Sequence, residues 1–234
     1  MGNQQTIVND APFEGKFQVV DPGNIWLLHN VFSEEECQQF LEASEKIGYG
    51  EAPLTVGDNT YLMNKDVRNN SRAMIDNVDY SNLLYDRIKE YLPKKASELS
   101  SKFVSQKLAE DYELVGLNER IRFYKYEVNQ YFAPHYDGCF IRNGKETING
   151  TEVETEEKSF ITVLLYLNDV HSGGETNFLN DRNESVICSV KPKRGQVLMF
   201  VHWNYHEGSI LSDPNEYKYV MRSDAMYKRV KKHK

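Results

Sequence analysis

The chain has 234 residues, 40% of them hydrophobic, which is enough to bury a sizeable core in one domain. Its formal net charge of −7 argues against a general electrostatic hold on nucleic acid. Three scattered cysteines without a CxxC pair argue against a disulfide framework or a thiolate zinc site, and the lack of a long apolar run excludes a membrane-spanning helix.

In chain order, residues 1–20 read as an irregular leader, 21–228 as a single domain and 229–234 as a basic tail. The leader lacks the basic-then-apolar pattern of a signal peptide, so a cytoplasmic location is expected. Residues 25–28 form a strand candidate. Ser33-Glu-Glu-Glu36 is a capping box, and Cys37, Phe40, Leu41 and Ile47 follow at helical spacing, which predicts a helix over 33–48. The stretch 48–72, rich in Gly, Asn, Asp and Thr, reads as a long loop of the kind that covers a site. A second helix is expected over 81–92, ended by Pro93, and a looser third over 94–112.

From Ile121 the pattern changes to short strands at 120–127, 131–137, 159–167, 174–178, 184–190, 196–202, 205–211 and 217–226. Turn signals separate them: Asn-Gly at 143–144 and 149–150, Gly173-Gly174, Lys193-Arg-Gly195 and Asp213-Pro-Asn215. The acid-rich run 151–158 reads as an exposed loop, and 140–158 as a second lid. The implied fold class is α+β, a double-stranded β-helix (jelly-roll) core braced by N-terminal helices.

Chemistry concentrates in His135-Tyr-Asp137-Gly138. Side chains two apart on a strand share a side, so His135 and Asp137 can grip one ion together. His206, in His-Glu-Gly, supplies a second imidazole from a distant strand, and Gly138 reads as a sharp turn away from the site. Two imidazoles and one carboxylate with open positions suit a non-haem Fe(II) oxygenase. His202 is the rival third ligand, and His206 is favoured because Trp203-Asn-Tyr breaks the regular run between them. Three open coordination positions accommodate a chelating 2-oxo acid and O2. A dicarboxylic 2-oxo acid also needs a cation at its far end. A hairpin of 205–211 with 217–222 would set Lys218 opposite Leu211, about 16 Å along the strand from His206 at ~3.3 Å per residue. Lys218 is the expected anchor, with Arg222 the alternative.

These residues resemble the prolyl 4-hydroxylase-like branch of the 2-oxoglutarate- and Fe(II)-dependent dioxygenases. The likeness runs through Arg122-Phe-Tyr-Lys-Tyr126 to His135-Tyr-Asp137-Gly, then Phe160-Ile-Thr-Val-Leu-Leu-Tyr166-Leu-Asn and Gly173-Gly-Glu-Thr-Asn-Phe178. It continues through Lys191-Pro-Lys-Arg-Gly195, Val197-Leu-Met-Phe200, His206-Glu-Gly and Lys218-Tyr-Val-Met-Arg222-Ser-Asp. Asp66-Val-Arg68-Asn-Asn70-Ser-Arg72 also looks familial, so the resemblance covers roughly 25–228.

It implies that His135, Asp137 and His206 bind Fe(2+), that Lys218 binds 2-oxoglutarate, and that Tyr126 and Tyr166 line its pocket. It also implies O2 as cosubstrate, ascorbate dependence, and a protein or peptide prolyl substrate met by Arg68 and Tyr124. Two departures stand out. Ser209-Ile-Leu-Ser-Asp-Pro lengthens the segment after His206, and Val128 replaces the family's glycine after the pocket tyrosine, with Asn129 expected to supply the bend. Two other readings stay open: a same-fold hydroxylase of a small molecule or nucleic acid, and a jelly-roll binding module without catalysis.

Overall fold

The computed structural model describes residues 16–21, 24–55, 61–99 and 112–230. In order, its elements are β1 (Phe17–Asp21), β2 (Ile25–Leu28), α1 (Glu34–Ile47), β3 (Gly50–Glu51), β4 (Leu54–Thr55), β5 (Tyr61–Leu62), β6 (Ser71–Asp76) and α2 (Val78–Ile88). Then come β7 (Glu113–Leu117), β8 (Arg120–Tyr126), β9 (Phe132–His135), β10 (Ile141–Ile148), β11 (Thr151–Tyr166) and β12 (Thr176–Leu179). The last are β13 (Val186–Val190), β14 (Val197–Val201), β15 (His206–Gly208) and β16 (Lys218–Val230). The large sheet runs β1-β2-β14-β11-β16-β8-β6-β3, with β10 added to β11 and β7 to β16. The small sheet runs β13-β12-β15-β9.

The central strands of the large sheet are buried on both faces, and residue parity decides which face each side chain meets. Ile121, Phe123, Ile161, Val163, Leu165, Val197, Met199 and Met221 pack with Phe40 and Leu84 of the helices. Their even-numbered neighbours Tyr124, Tyr126, Tyr166, Leu198, Phe200 and Val220 turn the other way, toward Phe178 and Val190 of the small sheet. A strand covered on both faces reads as a near-continuous apolar run, as Val197-Leu-Met-Phe-Val201 does. The same parity puts Lys218 and Arg222 on the face that meets the small sheet.

The helices brace this sheet as expected. Ser33 and Glu36 form the capping box on α1. Glu36 also clamps α2, because Arg87 donates to both its carboxylate oxygens (2.8 and 2.5 Å) and to the Val31 carbonyl (2.8 Å). At Gly173, φ is 78° and a Cβ would lie 2.2 Å from the Ile210 carbonyl oxygen, so only glycine fits where this turn bridges to Leu211.

Several expectations need correction. Residues 17–20 of the expected leader belong to β1, and the expected tail begins inside β16. The second helix starts earlier, at Val78, because Asn77 caps it, and it gives way after Ile88 to a 3-10 turn at Lys89–Tyr91. Of the third, Ala96–Glu98 is a 3-10 turn, and 100–111 lies outside the described residues. The stretch 48–72 is not one loop: it holds β3, β4 and β5, and β6 begins at Ser71.

The run 151–158 is the start of β11. It pairs with β10 from Ile148↔Thr151 to Ile141↔Lys158, and its carboxylates are matched by cations, as in Lys145–Glu152 (2.8 Å), Arg142–Glu157 (2.6 Å) and Arg229–Glu156 (3.1 Å). Nor do 205–211 and 217–222 form a hairpin. β15 lies in the small sheet, whereas β16 lies in the large one with Lys218 opposite Tyr126.

Candidate metal centre and its pocket

β9 and β15 are neighbours in the small sheet, and their register sets His135 opposite His206 with ring centroids 4.3 Å apart. Asp137 lies just past β9, and its amide donates to the His202 carbonyl (2.9 Å), which ties this exit to the turn before β15. His135 Nε2 is 3.8 Å from Asp137 Oδ1, and His206 Nε2 is 3.7 Å from Asp137 Oδ2. Ligand atoms of all three residues lie within 4.8 Å of one another. Two donors at ~2.1 Å from one ion can be at most about 4.2 Å apart, so the measured Nε2–Oδ separations fit a shared ion.

The rings are held in the ligand tautomer. His135 Nδ1 lies 2.8 Å from the Ala133 carbonyl and His206 Nδ1 lies 2.9 Å from that of Asn204. A carbonyl only accepts, so each Nδ1 carries the proton and each Nε2 presents its lone pair. Burial, with help from the neighbouring His206 ring, pushes His135 down to about 3, and burial lowers His206 as well. Both imidazoles are therefore neutral at neutral pH.

Burial alone would raise the Asp137 pKa, but Arg222 and the imidazoles overrule it and hold the carboxyl below its usual range. Arg222 Nη1 donates to Oδ1 (2.6 Å) and Thr162 Oγ1 donates to Oδ2 (2.5 Å). Arg222 also contacts Asp224 (3.1 Å), and the two carboxylates keep the guanidinium charged despite its burial. This donor set fits a divalent first-row metal with open positions.

A narrow pocket of about 40 Å³, partly open to solvent, runs from this cluster to Lys218 between the sheets. Lys218 is 3% exposed, and burial pulls its ammonium pKa down to about 7, offset in part by Glu175. It has no hydrogen-bond or ion-pair partner among the described residues. It sits instead by two aromatic rings, 4.9 Å from that of Tyr126 and 5.8 Å from that of Tyr166. Lys218 and Arg222 are four residues apart on one strand, about 13 Å at ~3.3 Å per residue. Arg222 thus belongs to the Asp137 end and Lys218 to the far end.

Tyr126 and Tyr124 line the pocket. Tyr166 stands behind Lys218 with its hydroxyl 2.8 Å from that of Thr176. Arg68 is buried behind the pocket wall, its guanidinium 4.5 Å from the ring centroids of both Tyr124 and Phe132. Its Nε bonds Asn70 (2.7 Å), and its Nη2 has no partner among the described residues. Asn129 does supply the bend, with φ 63°. Gly138 is not required as glycine, since a Cβ there would meet nothing within 4 Å. His202 is not brought into the cluster. Sequence reasoning missed Thr162 and the Arg222–Asp137 bond. The available signals were a lone threonine inside the apolar run 160–166, and the shared parity of Lys218 and Arg222.

Residues 121–222 match the model of the 2OG-Fe(II) oxygenase superfamily. The match spans the segments that carry His135, Asp137, His206 and Lys218. Prolyl 4-hydroxylase 5 of Arabidopsis thaliana is 28% identical over 203 residues, which cover 81% of this chain and 60% of that protein. The chain thus spans less than two thirds of the length of this curated relative. The fold is shared with a Pseudomonas putida prolyl-4-hydroxylase (TM-score 0.56, 12% identity, 87% of this chain and 92% of that one). It is shared equally with a Trichoplax adhaerens prolyl hydroxylase solved with a hypoxia inducible factor peptide fragment (TM-score 0.56, 15% identity, 87% and 83%). The jelly-roll barrel thus carries His135, Asp137 and His206 at one end of its pocket and Lys218 at the other.

Proposed function

We propose that this chain is a 2-oxoglutarate- and Fe(II)-dependent dioxygenase that hydroxylates a prolyl residue of a protein or peptide, within one oxygenase domain over 21–228. The observation that carries the cosubstrate is Lys218, a buried ammonium with no ion-pair partner among the described residues, in the same pocket as His135, Asp137 and His206. The relatives' names carry the prolyl target.

Iron, when bound, supplies O2 activation coupled to decarboxylation of 2-oxoglutarate; the balance is one substrate C–H, O2 and 2-oxoglutarate in, one C–OH, succinate and CO2 out. The chain's own residues do the rest. His135 and His206 offer neutral Nε2 lone pairs, Asp137 offers a carboxylate kept ionised by Arg222, and Lys218 receives the distal carboxylate with Tyr126 and Tyr166 beside it. Tyr124 meets the substrate, and Arg68 backs its ring from behind the pocket wall. The apolar walls formed by Leu164, Phe200 and Val220 exclude water.

Ascorbate dependence and a cytoplasmic location complete the proposal. In support of a reducing compartment, all three cysteines are free. No helix among the described residues is long and apolar enough to cross a membrane. The test supplies Fe(II), 2-oxoglutarate and proline-containing peptides or methylated oligonucleotides, and follows succinate with mass spectrometry of each substrate. Oxygen gained on peptidyl proline supports the proposal; oxygen gained only on the oligonucleotide, or on neither, contradicts it.

A further inference from the structure

Behind Asp137 lies a chain of hydrogen bonds among side chains that are all fully buried: Thr162, His202 and Ser159. Thr162 Oγ1 lies 2.5 Å from Asp137 Oδ2 and 2.9 Å from His202 Nδ1, while His202 Nε2 lies 2.8 Å from Ser159 Oγ. Ser159 Oγ in turn accepts from the Phe140 amide (2.8 Å).

The carboxylate end fixes the direction of every link. A carboxylate only accepts, so Thr162 must give Asp137 its one proton. The Thr162 oxygen then accepts from Nδ1–H of His202. Its Nε2 is left as an acceptor, filled by the Ser159 hydroxyl. The opposite tautomer would make Nδ1 a competitor for the Thr162 proton and draw it away from Asp137. The Asp137 carboxylate therefore selects the Nδ1–H tautomer through Thr162, and the Ser159 hydroxyl completes it by donating to Nε2.

The backbone is shaped for this arrangement. Ser159 and Thr162 are three residues apart, which on a regular strand puts them on opposite faces. Ser159 faces Met226 and Ile161 faces Ala225, so β11 carries one extra residue, Phe160, against β16. This bulge gives Ser159 and Thr162 partners two apart, Met226 and Asp224, and so the same face. His202 is held there as well, its amide donating to the Phe160 carbonyl (3.0 Å) and its carbonyl accepting from Asp137 (2.9 Å).

We propose that His202 is a positioning residue for the metal centre: acting through Thr162, it fixes the rotation of the Asp137 carboxylate so that its remaining lone pairs face the space shared with His135 and His206. This rests on the metal-binding reading above. A hydroxyl–imidazole–hydroxyl chain has no packing advantage over apolar residues in that slot, and a half-satisfied buried network is worse than none. Its terminus on a ligand carboxylate gives it a purpose, as outer partners of metal ligands commonly have.

The test is Co(II) titration of the metal-free full-length protein, read by d–d absorption, with near-ultraviolet circular dichroism to confirm folding. Thr162→Val and His202→Leu should each weaken Co(II) binding by about 10- to 100-fold. The double variant should be no weaker than the worse single one, because both act through the same bond. His202→Asn, which can keep an N–H near the Nδ1 position, should recover most of the affinity. If His202→Leu does not fold, Thr162→Ser should bind as wild type does while Thr162→Val does not. Wild-type affinity in Thr162→Val and His202→Leu, fully additive losses, or equal losses in Thr162→Ser and Thr162→Val would each overturn the proposal. Failure of the wild-type protein to bind Co(II) would overturn the metal-site reading itself.

Discussion

The two ends of the pocket solve the problem of buried charge in opposite ways. At the Asp137 end, both carboxylate oxygens have donors, both ligand imidazoles donate to carbonyls, and Arg222 divides its charge between two aspartates. At the other end, Lys218 is just as deeply buried, yet its ammonium lies beside two aromatic rings with no ion-pair partner among the described residues and only partial support from Glu175. An unpaired buried charge costs several kcal/mol, and the usual relief is loss of the charge, which is where burial drives this lysine. One end is thus completed by the protein before anything binds. The other is completed by whatever anion arrives. That asymmetry suits a site in which a metal cluster stays assembled between turnovers while a dicarboxylate comes and goes.

Substitutions at the two ends should accordingly move stability in opposite directions. Asp137→Asn removes the charge that compensates Arg222, so the metal-free protein should lose about 3–5 kcal/mol in denaturant unfolding and lose its metal affinity. Lys218→Met removes a charge that only Glu175 compensates, and only in part. The same experiment should then show a gain on the order of 1 kcal/mol, with metal affinity kept and 2-oxoglutarate binding weakened. Equal destabilisation by both would break the comparison.

Titration sharpens it next. The free-protein pKa of Lys218 is about 7, and a bound carboxylate needs the ammonium, so binding takes up a proton above that pH. The affinity for 2-oxoglutarate should fall by up to about tenfold per unit as pH rises above 7. In Lys218→Arg the dependence should disappear.

At the other end the buried imidazoles govern acid stability. His135 is lowered to about 3, His202 to about 4, and His206 is lowered too, all chiefly by burial. Their unfolded forms take protons near 6.5, so stability is complete above that pH and is lost as pH falls from 6.5 toward those values. The slope reaches up to about 1.4 kcal/mol per unit for each histidine, measurable by unfolding of the metal-free protein across that window. The smallest effect lies far from the pocket. Ser33→Ala should cost about 1 kcal/mol of stability by removing the α1 cap and should leave Co(II) affinity unchanged.

The sequence made the cluster legible because its signals are local or periodic. His135 and Asp137 are two apart at a strand end, and His206-Glu-Gly opens another strand. The capping box at Ser33 located α1 to within a residue. What escaped depends on pairing between distant strands. Residues 151–158 look like a solvated loop by charge, yet they form a strand because cations on β10 and β16 face their carboxylates. The 205–222 hairpin was plausible from its Asp-Pro-Asn turn, but β15 and β16 go to different sheets, and that choice is made by partners far away in the chain. The bulge at Phe160 leaves no signature in composition at all, although it determines which side chains stand behind Asp137.

The most direct measurement is an anaerobic titration of the Fe(II)-loaded protein with 2-oxoglutarate, followed by the charge-transfer absorption of the chelate, in wild type and in Lys218→Met. The account predicts a saturable band in the wild type. In Lys218→Met it predicts half-saturation shifted upward by roughly 30-fold or more, as expected when one partner of a buried charge pair is removed. No band in the wild type, or the same half-saturation in both proteins, would contradict it.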